Sequence, residues 1–271
     1  MDQPILTEAE RMAIDRGRWF SALSPTLRHD LLRQGRVQRL KHRQRLFERG
    51  QAAGAWYAVA AGALRVSGST PSGRDLIFCF AGPGLWLADI AALDGSPRLY
   101  DAQAHGATTL LVLEAGFARQ VLREHAEMYE ALLRLHASRT RQLFALVEDL
   151  QALPLRVRLA KQLVHLLRQF GAPCAVDAGE QRIRLRISQD DLALLVGGSR
   201  QRLNHELSAL AAEGVVRVEP RQVVVRDAAA LHRVAGLRTQ AARPPATRWP
   251  AAPARPFAAV PRPTVLAGSY A

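Results

Sequence analysis

The residues best suited to chemistry lie together in the stretch LALLVGGSRQRLNHELSAL, positions 192–210. Arg200, Gln201, Arg202, Asn204 and His205 follow directly on Ser199. Arg matches the paired acceptors of a guanine edge, and Gln or Asn matches adenine. Ser199, with the free backbone N–H groups of a helix start, is suited to a phosphate. Leu203, Leu207 and Leu210 recur at i, i+4 and i+7 and define an opposite, buried face. Steps of 100° then turn Gln201, His205 and Ser208 outward, with Arg202 and Asn204 beside them.

Upstream, Ser188 and Asp191 have the spacing of a helix N-cap, and Asp190 and Asp191 suit its positive end. Leu192, Leu195 and Val196 share one face of that first helix. Gly197 and Gly198 break it and permit a sharp turn. Two helices joined in this way form a helix-turn-helix. EGVVRVEPRQVVVRD follows, in which Val216, Val218, Val223 and Val225 flank a Glu-Pro-Arg-Gln turn. This reads as a β-hairpin wing, with Arg217, Arg221 and Arg226 available to backbone phosphates. An ordinary two-helix hairpin would require none of the polar helix head, the Gly-Gly turn and the basic hairpin.

The rest of the 271-residue chain must position these groups. Its formal net charge is +13, which favours an anionic partner, either nucleic acid or an acidic membrane surface. Cys79 and Cys174 are far apart and form no CxxC pair, so neither a zinc site nor a disulfide framework is expected. The start, MDQPILTEAERM, is too polar for a secretory leader. AAGAWYAVAAGAL is followed at once by Arg65 and falls short of the roughly 18 apolar residues of a spanning helix. The reading is a cytoplasmic protein with reduced thiols and no membrane partner.

Residues 8–34 read as helical, with Leu27, Leu31 and Leu32 on one face and Gly35 as a stop. From 36 to 114, short apolar runs alternate with Gly, Pro, Ser and Asp, the pattern of a sandwich or small barrel. Residues 116–150 read as one long helix. Tyr129, Leu133, His136, Thr140, Leu143, Val147 and Leu150 form a 4-3 stripe suited to a dimer seam, and Met128, Leu132, Leu135 and Leu146 widen it. Pro154 marks a hinge near 151–155, and a helix resumes up to Gly171. GAPCAVDAGEQ reads as a loop and RIRLRI as a half-exposed strand. The Pro/Ala/Arg-rich end, from about 239, reads as a disordered basic tail.

ISQDDLALLVGGSRQRLNHELSALAAEGVV resembles the winged helix of the Crp/Fnr transcription regulators. RLFERGQAAGAWYAVAAGALRV is similar to the opening of that family's β-roll. PGLWLADIAALDGSPR stands in the place of its phosphate-binding cassette, and 116–150 in the place of its dimerisation helix. The resemblance spans residues 18–235. It implies an α+β fold: an N-terminal, jelly-roll-like β-roll, a long dimerisation helix and a C-terminal winged helix-turn-helix. The corresponding divisions are 1–115, 116–153 and 154–236, followed by the tail at 237–271. It also implies a homodimer that reads two-fold-related double-stranded DNA, with half-sites about one DNA turn apart, and contacts with RNA polymerase. Arg200, Gln201 and His205 hold the family's base-reading places. Gln201 replaces the Glu of the best-known members, and His205 an Arg that is common there.

The effector site departs from the family pattern. Cyclic-nucleotide binders carry Gly-Glu for the ribose and Arg-Ser for the cyclic phosphate, where this chain has Ala88-Asp89 and Arg98-Leu99. Leu143 and Phe144 replace the Thr and Ser that face the base. A pocket that loses donors and gains bulk argues against cyclic AMP. Iron–sulfur sensing needs more cysteines, and no spacing singles out His105, His125 or His136 for haem. The remaining readings are a member that binds DNA without an effector, a membrane-surface protein, and an enzyme or its regulatory subunit. GxSxG, Walker A, HExxH and kinase motifs are lacking, so no catalytic or metal residue is expected.

Overall fold

The computed structural model describes residues 5–174 and 179–237. The Pro-rich tail and part of the GAPCAVDAGEQ stretch lie outside these described residues. The chain opens with helices α1 (Glu8–Asp15) and α2 (Pro25–Gln34), separated by a 3-10 turn at Phe20–Ala22. The helical reading of 8–34 thus resolves into separate pieces. Ser24 restarts the chain as the N-cap of α2, accepting from the Leu27 N–H at 3.3 Å, with Pro25 in the first turn. Gly35 ends α2 at φ −71°. It is required there for room, because a Cβ would lie 2.4 Å from Leu111 Cδ1.

Next come β1 (Arg36–Leu40), β2 (Arg45–Phe47), β3 (Ala55–Ala61), β4 (Leu64–Ser69), β5 (Asp75–Ala81) and β6 (Trp86–Leu87). Helix α3 (Asp89–Asp94), β7 (Asp101–Ala104) and β8 (Thr108–Glu114) complete this part. Two antiparallel sheets form, ordered β1-β8-β3-β6 and β2-β7-β4-β5. Strands β3 and β8 are buried on both faces, and their period of two divides the core. Tyr57, Val59, Leu110 and Val112 fill the space between the sheets. Trp56, Ala58, Leu111 and Leu113 face outward, under Ile14, Phe20, Leu27 and Leu31 of the opening segment. The stretch too short for a membrane helix is therefore largely β3. Among the described residues, no helix is long and apolar enough to cross a membrane.

The sequence predicts one helix over 116–150, but two are present, α4 (Ala115–Glu124) and α5 (Ala126–Ala152). His125 leaves helical geometry between them, at φ −123° and ψ 98°. Packing overrides local propensity here. Ala118 and Val121 of α4 enter the core over the sheet, and α5 then leaves in a new direction, rooted by Met128 and Leu132. Beyond that root, one side of α5 lacks cover: Leu133, Leu143 and Phe144 are 70%, 61% and 68% exposed.

Helix α5 ends at Ala152, capped by Leu153, and α6 (Leu155–Phe170) starts after Pro154. Then come β9 (Gly171–Pro173), β10 (Gln181–Ile183), α7 (Gln189–Val196), α8 (Arg200–Ala212), β11 (Val216–Glu219), β12 (Gln222–Val225) and α9 (Ala228–Val234). The expected strand RIRLRI pairs only at Arg182 and Ile183, yet Ile183, Leu185 and Ile187 are all buried, so the alternation outlasts the ladder. Part of the expected loop pairs as well: Gly171–Pro173 lies antiparallel to β10. The sheet order is β11-β12-β10-β9. Val218 of the wing is exposed, whereas Val216, Val223 and Val225 are buried.

Candidate nucleic-acid interface and effector pocket

The turn between α7 and α8 is built as its residues dictate. Ser188 Oγ accepts from the Asp191 N–H at 3.0 Å and donates to the Asp191 carboxylate at 2.9 Å. Gly197 ends α7 in the left-handed region, at φ +67°, which glycine adopts without steric cost. At Gly198 a Cβ would lie 2.9 Å from Leu155 Cδ1. Ser199 caps α8, accepting from the Arg202 N–H at 3.4 Å. Leu203, Leu207 and Leu210 are buried against the rest of the domain.

The opposite face of α8 is open. Arg200, Gln201, Arg202 and His205 are exposed, and Arg200 lies 3.4 Å from Asp190 in a solvent-facing pair. Asn204 is half-buried, its Oδ1 has no hydrogen-bond partner, and it lines a groove shared with Gln189, Arg217 and Arg226. The wing arginines divide. Arg217 binds Glu180 at 2.7 Å and Glu219 at 2.6 Å, and Arg226 binds Glu180 at 2.9 Å. The Arg217 hydrogen bond pulls the Glu180 pKa below the carboxylate range, against the opposing effect of desolvation. Arg221 is at the tip, exposed, at φ +59°.

The cassette residues lie elsewhere, and only some of them meet. Ala88 adopts φ +66°, a region favouring glycine. Its N–H donates to the Tyr100 hydroxyl at 3.0 Å, and burial pushes the Tyr100 pKa up to about 12. Arg98 is 4% exposed and turned into the roll. It donates to the Ala55 carbonyl at 2.8 Å and to the Ala88 carbonyl at 3.2 Å, with its guanidinium carbon 4.5 Å from the Phe47 ring centre and 5.5 Å from that of Tyr57. Asp89 is buried and points the other way, to α5. It accepts from Arg139 at 2.7 and 2.8 Å and lies 3.1 Å from His136 Nε2. Leu99 is exposed, away from Arg98, and Leu143 and Phe144 are on the open side of α5.

Residues 37–125 match the cyclic nucleotide-binding domain family, and residues 157–234 match the Crp-like helix-turn-helix domain. A cyclic AMP receptor protein of Thermus thermophilus is 32% identical over 190 residues, covering 70% of this chain and 83% of that protein. The chain belongs to the Crp/Fnr family of transcriptional regulators. A CRP-like cAMP-activated global transcriptional regulator of Mycobacterium tuberculosis is 27% identical, over 69% of this chain and 83% of its own length. The crystal structure of a CRP-family transcriptional regulator from Thermus thermophilus shares 26% identity at a TM-score of 0.62, covering 76% of this chain and 100% of that one. FixK2 of Bradyrhizobium japonicum shares the fold, at a TM-score of 0.64, 20% identity and coverage of 74% and 96%.

Sequence reasoning missed the partners that occupy the pocket of this Crp/Fnr regulator. Phe47 and Tyr57 cage Arg98, and Arg139 and His136 hold Asp89. The available signal was the pair of basic residues three apart on α5, following the buried Leu132. Among the described residues, no three His, Cys, Asp or Glu side chains gather as metal ligands.

Proposed function

We propose that this regulator acts as a cytoplasmic homodimer that reads a two-fold-related DNA site through the outward face of α8. The supporting observation is that face itself: Arg200, Gln201, Arg202 and His205 are open beside a capped helix start, while the leucines behind them are buried. A helix of this width enters a major groove, and its first residues reach the base edges. Ser199 and Arg221 flank it as phosphate contacts. Asn204 adds a contact at the groove wall, whereas Ser188 and Arg217 act mainly through the pairs that hold α7 and the wing. The dimer forms along the open stripe of α5, which an isolated protomer would leave to water. The roll acts as sensor or scaffold over 1–115, the long helix and hinge span 116–153, and the reader spans 154–236. The protein has no catalytic role, and contacts RNA polymerase as its family does.

The effector is not cyclic AMP. Arg98 would have to leave two carbonyls and two rings to meet a cyclic phosphate, and Ala88 adds a methyl group at the cassette turn. The second reading, a member that needs no effector, is favoured by the same cage together with the Asp89–Arg139 pair, which joins roll to helix through the chain's own side chains. A site selected from random duplex DNA, titrated with and without cyclic AMP at fixed salt, tests both. Equal affinity is expected. Binding that appears only with the nucleotide contradicts the pocket reading.

A further inference from the structure

Two histidines meet where the roll touches the reader. His105 lies in the β7–β8 turn and His42 in the β1–β2 turn, with ring centres 6.0 Å apart and planes at 84°. His42 Nδ1 accepts from the Gly106 N–H at 2.9 Å. That bond needs a ring unprotonated at Nδ1, since a proton added there sets a donor against a donor. His105 Nε2 meets the Arg186 carbonyl, just before α7, at 2.6 Å. A carbonyl only accepts, so this nitrogen carries a hydrogen and the ring titrates at Nδ1.

The surroundings oppose charge on His105. Burial chiefly lowers its pKa, and the charges of His42 and Arg221 add to this, against the Arg186 carbonyl and Asp191. These groups come from the β1–β2 turn, the wing tip, the segment before α7, and α7 itself. From β5, the Phe80 ring meets His105 edge-on, with centres 4.9 Å apart. Asp191 is shared with Arg65 of β4, at 3.6 Å, and with Ser188, at 2.9 Å. Lys41, Arg43 and the Arg186 side chain are exposed cations on the same segments.

The pair sits on the joint between roll and reader. Ala63, Ile77 and Phe80 of the roll share one buried cluster with Leu163 and Leu192 of the reader. The approach is close, because a Cβ at Gly82 would lie 2.6 Å from the Phe170 ring. The His105 N–H donates to the Ala63 carbonyl at 2.8 Å, which ties its turn to this cluster. Charge on His105 therefore acts on the contact that holds α7, and with it α8, against the roll.

We propose that the proton is a regulatory ligand of this chain: His42 and His105 form a latch that holds the reader on the roll while neutral and releases it in acid. Its consequence rests on the DNA-reading function proposed above. A released reader must be reoriented before two copies of α8 can meet a two-fold site, and that ordering costs affinity. The direction of the shift fixes the sign. Docking is complete above the ordinary histidine value of 6.5, and weakens as pH falls from there through the lowered one.

The test compares the full chain with His42→Asn/His105→Gln. Asn keeps an acceptor for the Gly106 N–H, Gln keeps a donor for the Arg186 carbonyl, and neither titrates. A duplex selected by wild type is titrated with both proteins at fixed salt, from about pH 7.5 to about pH 5.5. His205 on α8 is common to both, so its own protonation cancels in the ratio. The two should bind alike at the upper end, and wild type should lose several-fold relative to the variant at the lower. X-ray scattering of the free proteins should show wild type, but not the variant, expanding over the same range, with both circular dichroism spectra unchanged. Parallel pH profiles, or wild type gaining on the variant, overturn the latch and leave the reading of α8 intact. Failure of wild type to select any duplex overturns the DNA reading, and scattering then decides the latch by itself: no expansion of wild type, or equal expansion of both, overturns it. If the double variant does not fold, His105→Gln alone is measured in the same way.

Discussion

One guanidinium nitrogen of Arg139 donates to both oxygens of Asp89, at 2.7 and 2.8 Å, and so fastens α5 to the β-roll. The other terminal nitrogen donates to the Trp86 carbonyl at 2.5 Å. Burial raises the Asp89 pKa, but hydrogen bonds and charge from His136 and Arg139 outweigh it, and the net shift is downward. Arg139→Ala leaves a buried carboxylate with only His136, and should destabilise the chain by about 3 kcal/mol. Urea unfolding measures this, and a change within the scatter of surface substitutions would refute the role assigned to the pair. A lowered folded-state pKa fixes the sign with pH. The contribution of Asp89 is complete above its ordinary value of 3.8 and is lost as pH falls through the lowered one. Wild type and Arg139→Ala should therefore converge in stability under acid.

The open stripe of α5 predicts a specific failure. Leu143→Asp with Phe144→Asp removes apolar surface that is exposed in the protomer. Each protomer should keep its circular dichroism spectrum and unfold as a monomer. Sedimentation should show the dimer lost, and with it most affinity for a two-fold site. A variant that stays dimeric would place the seam elsewhere.

The turn before α8 should be sensitive to small changes. Gly197→Ala places a methyl group at φ +67°, 3.2 Å from Leu150 Cδ2, and should cost about 1–2 kcal/mol. Ser199→Ala removes the cap of α8 and should cost about 1 kcal/mol. Thermal unfolding of each variant checks these values, and neutrality of both would mean that the turn is not held as described.

The C-terminal half was legible because its signals are local. Ser188, Gly197, Ser199 and the leucines of α8 each fix a cap, a turn or a face within one helical turn of themselves. The roll was legible as a class, through the spacing of its glycines, but its strand pairing depends on distant partners. The break at His125 was not legible, since no proline or glycine marks it and packing against the sheet decides it. The pocket was half legible. Ala88, Asp89 and Arg98 stood out by position, whereas the groups that hold them come from β2, β3 and α5. The contacts of Arg98 with Ala55 and Phe47 and of Asp89 with Arg139 join residues 43–51 positions apart, beyond the reach of periodicity.

The most direct measurement is equilibrium binding of a selected duplex, at one salt concentration, by wild type and by Arg200→Ala/Gln201→Ala. Both variant positions are exposed on α8, so the fold should survive, as unfolding of the same samples would verify. Each lost base contact should cost about 1–3 kcal/mol. The double variant should bind the selected site little better than unrelated DNA, while keeping wild-type affinity for unrelated DNA to within a few fold. If it binds the selected site as wild type does, α8 does not read the sequence.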